Sequence, residues 1–107
     1  MIHILLACAG GFSTSMLVER MKEAAQKKSE EIIIEATAEG RVDKVVNQVD
    51  IIMLGPQVGH LEKKFQKKYA DNPVKITTIP SLDYGMMNGE KVLQQALDLH
   101  KQLQGGV

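Results

Sequence analysis

The residues of this chain that are best suited to chemistry lie together near its start. Cys8, the only cysteine, is followed by Gly10 and Gly11 and then by the hydroxyl residues Ser13, Thr14 and Ser15. An apolar run before Cys8 and a helical pattern after the hydroxyls predict a strand, a small-residue loop and a helix N-terminus. Backbone N–H groups and the positive end of the helix dipole converge in such a loop and bind an anion.

The same positive field would stabilise a thiolate at Cys8. The pattern therefore predicts a nucleophilic cysteine held in a phosphate-binding loop. The alternative is a buried, inert thiol at the end of a strand, but the glycines and hydroxyls that follow Cys8 favour the reactive thiol.

Three histidines and one aspartate are further candidates. His3 begins the first strand, and five residues at about 3.3 Å each place it about 16 Å from Cys8, so we expect a structural role. His60 could approach Cys8 and give thiol-hydrolase chemistry, or lie at the surface. We expect His100 at the surface. Asp83 could be a general acid or a turn-stabilising side chain.

No histidines or cysteine show metal-ligand spacing, and we expect neither a metal nor a cofactor. The lysines that follow Leu61 predict a solvated helix face. Met86 and Met87 border a loop and could contact a partner or fill gaps.

Length and charge restrict the class of protein. The 107 residues, with 13 basic and 13 acidic side chains and a pI near 6.8, predict one domain over 1–107 without the basic surface of a nucleic-acid binder. A single cysteine fits a reducing cytosol. No signal peptide and no apolar stretch of about 20 residues is present, so we expect a cytoplasmic protein that does not insert into a membrane.

The elements that would position Cys8 alternate between strands and helices. The predicted strands are Ile4–Ala7, Ile32–Ala36, Asp50–Leu54 and Val74–Ile79. The predicted helices are Ser13–Lys28, Gly40–Gln48, Val58–Tyr69 and Met86–Leu103.

This alternation predicts an open, four-stranded parallel α/β sheet with helices on both faces. We favour the strand order 2-1-3-4, with the first and last helices on one face. Ligands of such sheets bind at the carboxyl ends of the strands where the order reverses. Here those ends carry Cys8 and the turn Gly55-Pro56-Gln57.

The loop resembles two families with related folds. In low-molecular-weight tyrosine phosphatases an arginine follows the cysteine by six residues, but here that place is taken by Thr14, and no Asp-Pro pair follows. The closer resemblance is to the enzyme IIB component of the bacterial sugar phosphotransferase system, lactose/cellobiose/chitobiose type, whose loop reads approximately C-S/A-A-G-M-S-T-S.

The matching segments of this chain are Cys8-Ala9-Gly10-Gly11-Phe12-Ser13-Thr14-Ser15, Leu54-Gly55-Pro56-Gln57 and Asp83-Tyr84-Gly85. Gly11 and Phe12 depart from the Gly-Met pair of that family.

The resemblance implies a phosphocysteine carrier with a phosphatase-like fold. Cys8 would accept a phosphoryl group from a phosphohistidine of enzyme IIA and pass it to a sugar, such as a β-linked disaccharide, held by the membrane enzyme IIC. The phosphate loop would comprise residues 9–15, with Gln57 in a neighbouring loop and the chain a monomer. The competing classes are a phosphatase or arsenate-reductase-like enzyme and a non-catalytic anion-binding module.

Overall fold

The fold is a parallel sheet with helical segments on both faces. The computed structural model describes residues 2–8, 12–28 and 31–105, and only the backbone of 12–14 and 102–105. The strands are β1 (Ile2–Cys8), β2 (Ile32–Ala38), β3 (Ile51–Leu54) and β4 (Lys75–Thr78). The α-helices are α1 (Phe12–Gln26), α2 (Glu62–Lys68), α3 (Ser81–Gly85) and α4 (Gly89–Gly105). The 3₁₀-helical segments span Glu39–Lys44, Val46–Gln48 and Pro56–Leu61.

The strand order is β2-β1-β3-β4 with every pair parallel, as predicted. β1 and β3 are central and are buried on both faces, which explains their continuous apolar sequences. Successive side chains of β1 enter different cores because strand side chains alternate between faces. Leu6 packs into one cluster and Leu5 into the other.

The first core lies between the sheet and the helices α1 and α4. Leu17 and Met21 of α1 meet Val92 and Leu93 of α4 there, and all four are almost completely buried. The predicted placement of the first and last helices on one face is therefore confirmed. Gly89 permits the close contact, since a Cβ on it would lie 2.4 Å from the backbone carbon of Arg20.

The second core lies on the opposite face, and there one helix prediction is wrong. The spacing predicts an apolar stripe of Val42, Val45, Val46 and Val49, of which Val45 is half-buried and the other three are buried. The segment forms two 3₁₀ turns instead of one α-helix over 40–48. They are separated at Val45, whose φ is −126°. Valine is β-branched, which restricts its χ1 angle and makes it a poor helix former. The segment therefore forms 3₁₀ turns, which still bury these valine side chains.

The two remaining helix predictions need similar corrections. The predicted Val58–Tyr69 helix is a 3₁₀ segment, Pro56–Leu61, followed by α2, and Val58 inside that segment is non-helical. The predicted Met86–Leu103 helix begins later, because Met87 has a φ of +51° and interrupts the chain after α3. Asn88 then caps α4, with its Oδ1 accepting from the Lys91 backbone N–H at 3.2 Å.

Candidate functional site

The candidate site lies where the two central strands end. Ala7 of β1 is the register partner of Leu54 of β3, so the next residues, Cys8 and Gly55, are neighbours at the carboxyl edge of the sheet. The Gly55 backbone N–H donates to the Ala7 carbonyl at 2.8 Å. This hydrogen bond extends the pairing of the strands by one step and fixes the turn against Cys8.

Gly55 brings the turn unusually close to the cysteine. A Cβ built on Gly55 would lie 3.3 Å from the Cβ of Cys8 and 3.0 Å from Oε1 of Gln57. The φ of Gly55 is −62°, which any residue adopts, so the close approach and not the backbone conformation favours glycine here. A side chain at position 55 would therefore contact both Cys8 and Gln57.

Cys8 is only 3% exposed, whereas Gln57 is exposed. The segment that carries Gln57 thus reaches solvent, whereas the Cys8 side chain is covered. Pro56 follows Gly55 and starts the 3₁₀ segment that carries Gln57, which suits proline because its fixed φ matches a first helical position.

The N-terminus of α1 lies at the same edge, because the helix begins at Phe12, four residues after Cys8. Its first backbone N–H groups have no intrahelical acceptors. The first turn carries no acidic residue that would oppose an anion there. Ser15, in this part of α1, is exposed.

The predicted loop residues Ala9, Gly10 and Gly11 lie outside the described residues. The structure describes Phe12, Ser13 and Thr14 only as helical backbone. It thus brings together Cys8, the start of α1, Gly55 and Gln57, whereas the amide and hydroxyl contacts predicted for 9–14 stay predictions.

The histidines lie in different environments. His3 is at the amino end of β1 with its Nε2 2.5 Å from Oε2 of Glu35, so its structural role is confirmed. His60 is exposed in the segment Pro56–Leu61. His100 lies on α4 as predicted and is half-buried, with its Nδ1 buried, so its surface position is confirmed only in part. Among the described residues, no group of three or more His, Cys, Asp or Glu is arranged to hold a metal ion.

Among the side chains that the structure describes, three large apolar ones are exposed on elements at this edge of the sheet. Met16 of α1 is 53% exposed, Leu82 of α3 is 69% exposed, and Met86, just after α3, is 70% exposed. Asp83 is half-buried within α3, a helix and not the loop that the sequence suggested. Met16 and Leu82 were missed by the sequence analysis, although Met16 falls outside the buried stripe of its helix.

Comparison with known proteins defines the class. The family model "PTS system, Lactose/Cellobiose specific IIB subunit" matches residues 3–95. The chain is 38% identical over 99 residues to the oligo-beta-mannoside-specific EIIB component of the phosphotransferase system (PTS) of Bacillus subtilis (strain 168), covering 92% of this chain and 96% of that protein.

Two solved structures share the fold. The cellobiose-specific IIB component of Borrelia burgdorferi is 40% identical, with a TM-score of 0.78 over 94% of this chain and 93% of that one. The lactose-specific IIB domain of Streptococcus pneumoniae has a TM-score of 0.82 at 22% identity, over 91% of this chain and 95% of that one.

The fold is therefore that of the IIB domains, which is related to the low-molecular-weight phosphatases. The chain belongs to the lactose/cellobiose-specific IIB family of the sugar phosphotransferase system. Components of this family act as phosphotransferase domains in sugar phosphorylation and work with other components of the system. In the described part of the chain, no helix is long and apolar enough to cross a membrane.

Proposed function

We propose that this protein is a phosphoryl carrier in which Cys8 is the nucleophile. Enzyme IIA would donate the group from a phosphohistidine, and a sugar held by the membrane enzyme IIC would receive it. The observation that carries the proposal is the position of Cys8, which is the only cysteine and ends a central strand beside Gly55, Gln57 and the start of α1. A carrier of this kind works in the cytoplasm.

Transfer takes place in two displacements. The Cys8 thiolate attacks phosphorus, an S–P bond forms, and the P–N bond breaks with its electron pair left on the donor imidazole. A sugar hydroxyl then attacks the same phosphorus and loses its proton to a base beside the sugar. The S–P bond breaks and restores the thiolate.

The protein stabilises the charge that develops on the three equatorial oxygens. We assign this role to the backbone amides of 10–15 and the hydroxyls of Ser13 and Ser15, aided by the positive end of α1. Gln57 and Cys8 both lie next to Gly55, and we assign to the Gln57 side-chain amide a hydrogen bond to the bound phosphoryl group. A phosphate-clamping arginine is missing from the loop, which suits a carrier because its phosphocysteine must survive until the acceptor arrives.

Both partners must bring their reacting groups to Cys8, so their surfaces must cover this edge of the sheet. Exposed Met16, Leu82 and Met86 supply the apolar contacts that such a protein interface needs. The sugar is proposed as a β-linked disaccharide, since the named relatives are specific for oligo-β-mannosides and cellobiose.

The decisive experiment is Cys8→Ser. A serine hydroxyl has nearly the same shape but is not ionised at neutral pH, so we expect transfer from phosphorylated IIA to be abolished. Intact-mass and peptide-mass measurements should show one phosphoryl group on Cys8 of the native protein and none on the variant. Donor IIA that lacks its histidine is the matched control.

A thermal melt should show that the Cys8→Ser variant is folded. If the folded variant still accepts the phosphoryl group, another residue carries it and the proposal fails.

A further inference from the structure

The outer edge of the sheet at β4 is a place where another strand could add. The backbone N–H groups of Lys75 and Ile79 donate to Asp50 and Leu54 at 3.0 and 2.8 Å, so these residues face β3. Peptide groups of a parallel strand alternate in direction. Those of Ile76 and Thr78 therefore face outwards, and such outward groups are a template for pairing with another chain.

Two glutamine side chains occupy the outward carbonyls. Gln66 of α2 donates from Nε2 to the Ile76 carbonyl at 3.2 Å, and Gln95 of α4 donates from Nε2 to the Thr78 carbonyl at 3.2 Å. The two helices lie on opposite faces of the sheet. The amides thus reach alternate carbonyls of one strand from both sides.

Neighbouring groups hold these amides in place. Gln66 Nε2 also lies 3.5 Å from Oε2 of Glu62, one turn earlier in α2, and Gln95 Nε2 lies 3.4 Å from Oγ1 of Thr77. Oε1 of Gln95 is buried without a hydrogen-bond partner within the described part of the chain. A buried acceptor of this kind is unfavourable, so an apolar residue would serve packing better, and the hydrogen bond to Thr78 is what the amide adds.

We propose that Gln66 and Gln95 block the addition of a strand from a second copy of this chain at the β4 edge. A second β4 could hydrogen-bond to Ile76 and Thr78 only after both amides were displaced from each copy. The two glutamine side chains thereby keep the chain monomeric. This role does not depend on the chemistry of Cys8.

The test is the double substitution Gln66→Met and Gln95→Met, because methionine has a similar length and flexibility but no N–H donor. The matched control is Gln94→Met on the same helix, since the Gln94 amide bonds to Asp98 at 2.9 Å. In sedimentation equilibrium, we expect the dimer dissociation constant of the double variant to be lower by about tenfold or more, equivalent to about 1.4 kcal/mol. The control should sediment like the native chain.

Hydrogen exchange locates the contact. In the associated double variant, the backbone N–H groups of Ile76 and Thr78 should become protected. A folded double variant that sediments like the native chain would overturn the proposal, and so would association that leaves these two groups unprotected. If the double variant does not fold, Gln66→Met alone decides, because Gln66 is exposed and its replacement leaves both cores intact. It should show a smaller shift in the same direction, and no shift would overturn the proposal.

Discussion

Gly55 shows how a residue without a side chain can shape a candidate site. Because Gly55 has no Cβ, the turn after β3 can pack against Cys8, whereas an added Cβ would lie 3.3 Å from the Cβ of Cys8 and 3.0 Å from Oε1 of Gln57. Adding even one methyl group to a close-packed region forces neighbours to move. The geometry around the thiol is therefore sensitive to this position.

We predict that Gly55→Ala displaces the Gln57 side chain or Cys8 by a few tenths of an ångström. Overpacking of this kind costs about 1–3 kcal/mol, and a small misplacement of reacting groups can reduce a rate by about 10²-fold. Phosphoryl transfer from IIA should fall by about tenfold or more, measured as the initial rate of Cys8 phosphorylation.

Gly40→Ala is the matched control, because a Cβ on Gly40 would meet nothing within 4 Å. It should transfer at the native rate. Equal losses in both variants would mean that the approach of Gly55 to Cys8 has no part in the reaction.

Thr14 separates a carrier from a phosphatase. An arginine at this position would present a charged, planar fork to two phosphate oxygens, whereas threonine offers one neutral hydroxyl. We predict little turnover of a small aryl phosphate by the native protein. Thr14→Arg should give at most a trace of aryl phosphate hydrolysis. The variant still lacks a general acid, whose assistance is worth about 10² to 10⁴ in rate. Hydrolysis by the native protein at about 1 s⁻¹ or faster would contradict the proposal that it is a phosphoryl carrier.

At the scale of elements, a polar contact joins α2 to the 3₁₀ segment Glu39–Lys44. The Tyr69 hydroxyl, just beyond α2, donates to Oδ1 of Asp43, and Lys68 Nζ lies 3.0 Å from Oδ2 of the same carboxylate. Both hydrogen bonds lower the pKa of Asp43, and the one from Tyr69 has the larger effect. Burial and the hydrogen bond to Asp43 raise the pKa of Tyr69.

These shifts fix the pH dependence of the contact. A lowered carboxyl pKa adds stability that is lost as the pH falls below the ordinary value of 3.8, and a raised phenol pKa adds stability that is lost above 10. We predict that Tyr69→Phe lowers the urea midpoint at neutral pH, and that the difference from the native protein shrinks below about pH 3.8 and above about pH 10. A difference that does not change with pH would mean that the hydroxyl contributes only by packing.

At the scale of the whole molecule, the central strands lie between the two cores and contribute side chains to both. Leu5 and Leu6 are adjacent in β1 but are buried in different clusters, at 2% and 1% exposure. We predict that Leu5→Ala and Leu6→Ala each lower the free energy of unfolding by about 2–5 kcal/mol. Because the strand carries both cores, each variant should unfold in one transition, as expected for one domain over 1–107.

The measurement is urea unfolding followed by far-UV circular dichroism and by tyrosine fluorescence. Tyr69 reports on one core and Tyr84 on the other. Ile33→Ala, at an exposed position of β2, is the control and should cost about 0.5 kcal/mol or less. Separate transitions for the two tyrosines would contradict a single cooperative unit.

The sequence by itself determined the strands, their order and the edge of the sheet at which Cys8 lies. These follow from local apolar runs, from the handedness of parallel crossovers and from the rule that ligands bind where strand order reverses. The burial of Val42, Val46 and Phe65 was likewise predictable, because the spacing of apolar residues marks the side of a segment that faces a core.

Only the tertiary structure decided the form of the helical segments and the close contacts. Val42 and Val46 are buried in 3₁₀ turns, because the weak helix propensity of valine leaves the form of the segment to its packing against the sheet. The approach of Gly55 to Cys8, and the contact of Gln66 and Gln95 with β4, each join residues of different elements. A periodic pattern identifies which residues face inwards, but distances between them are set only when separate elements pack.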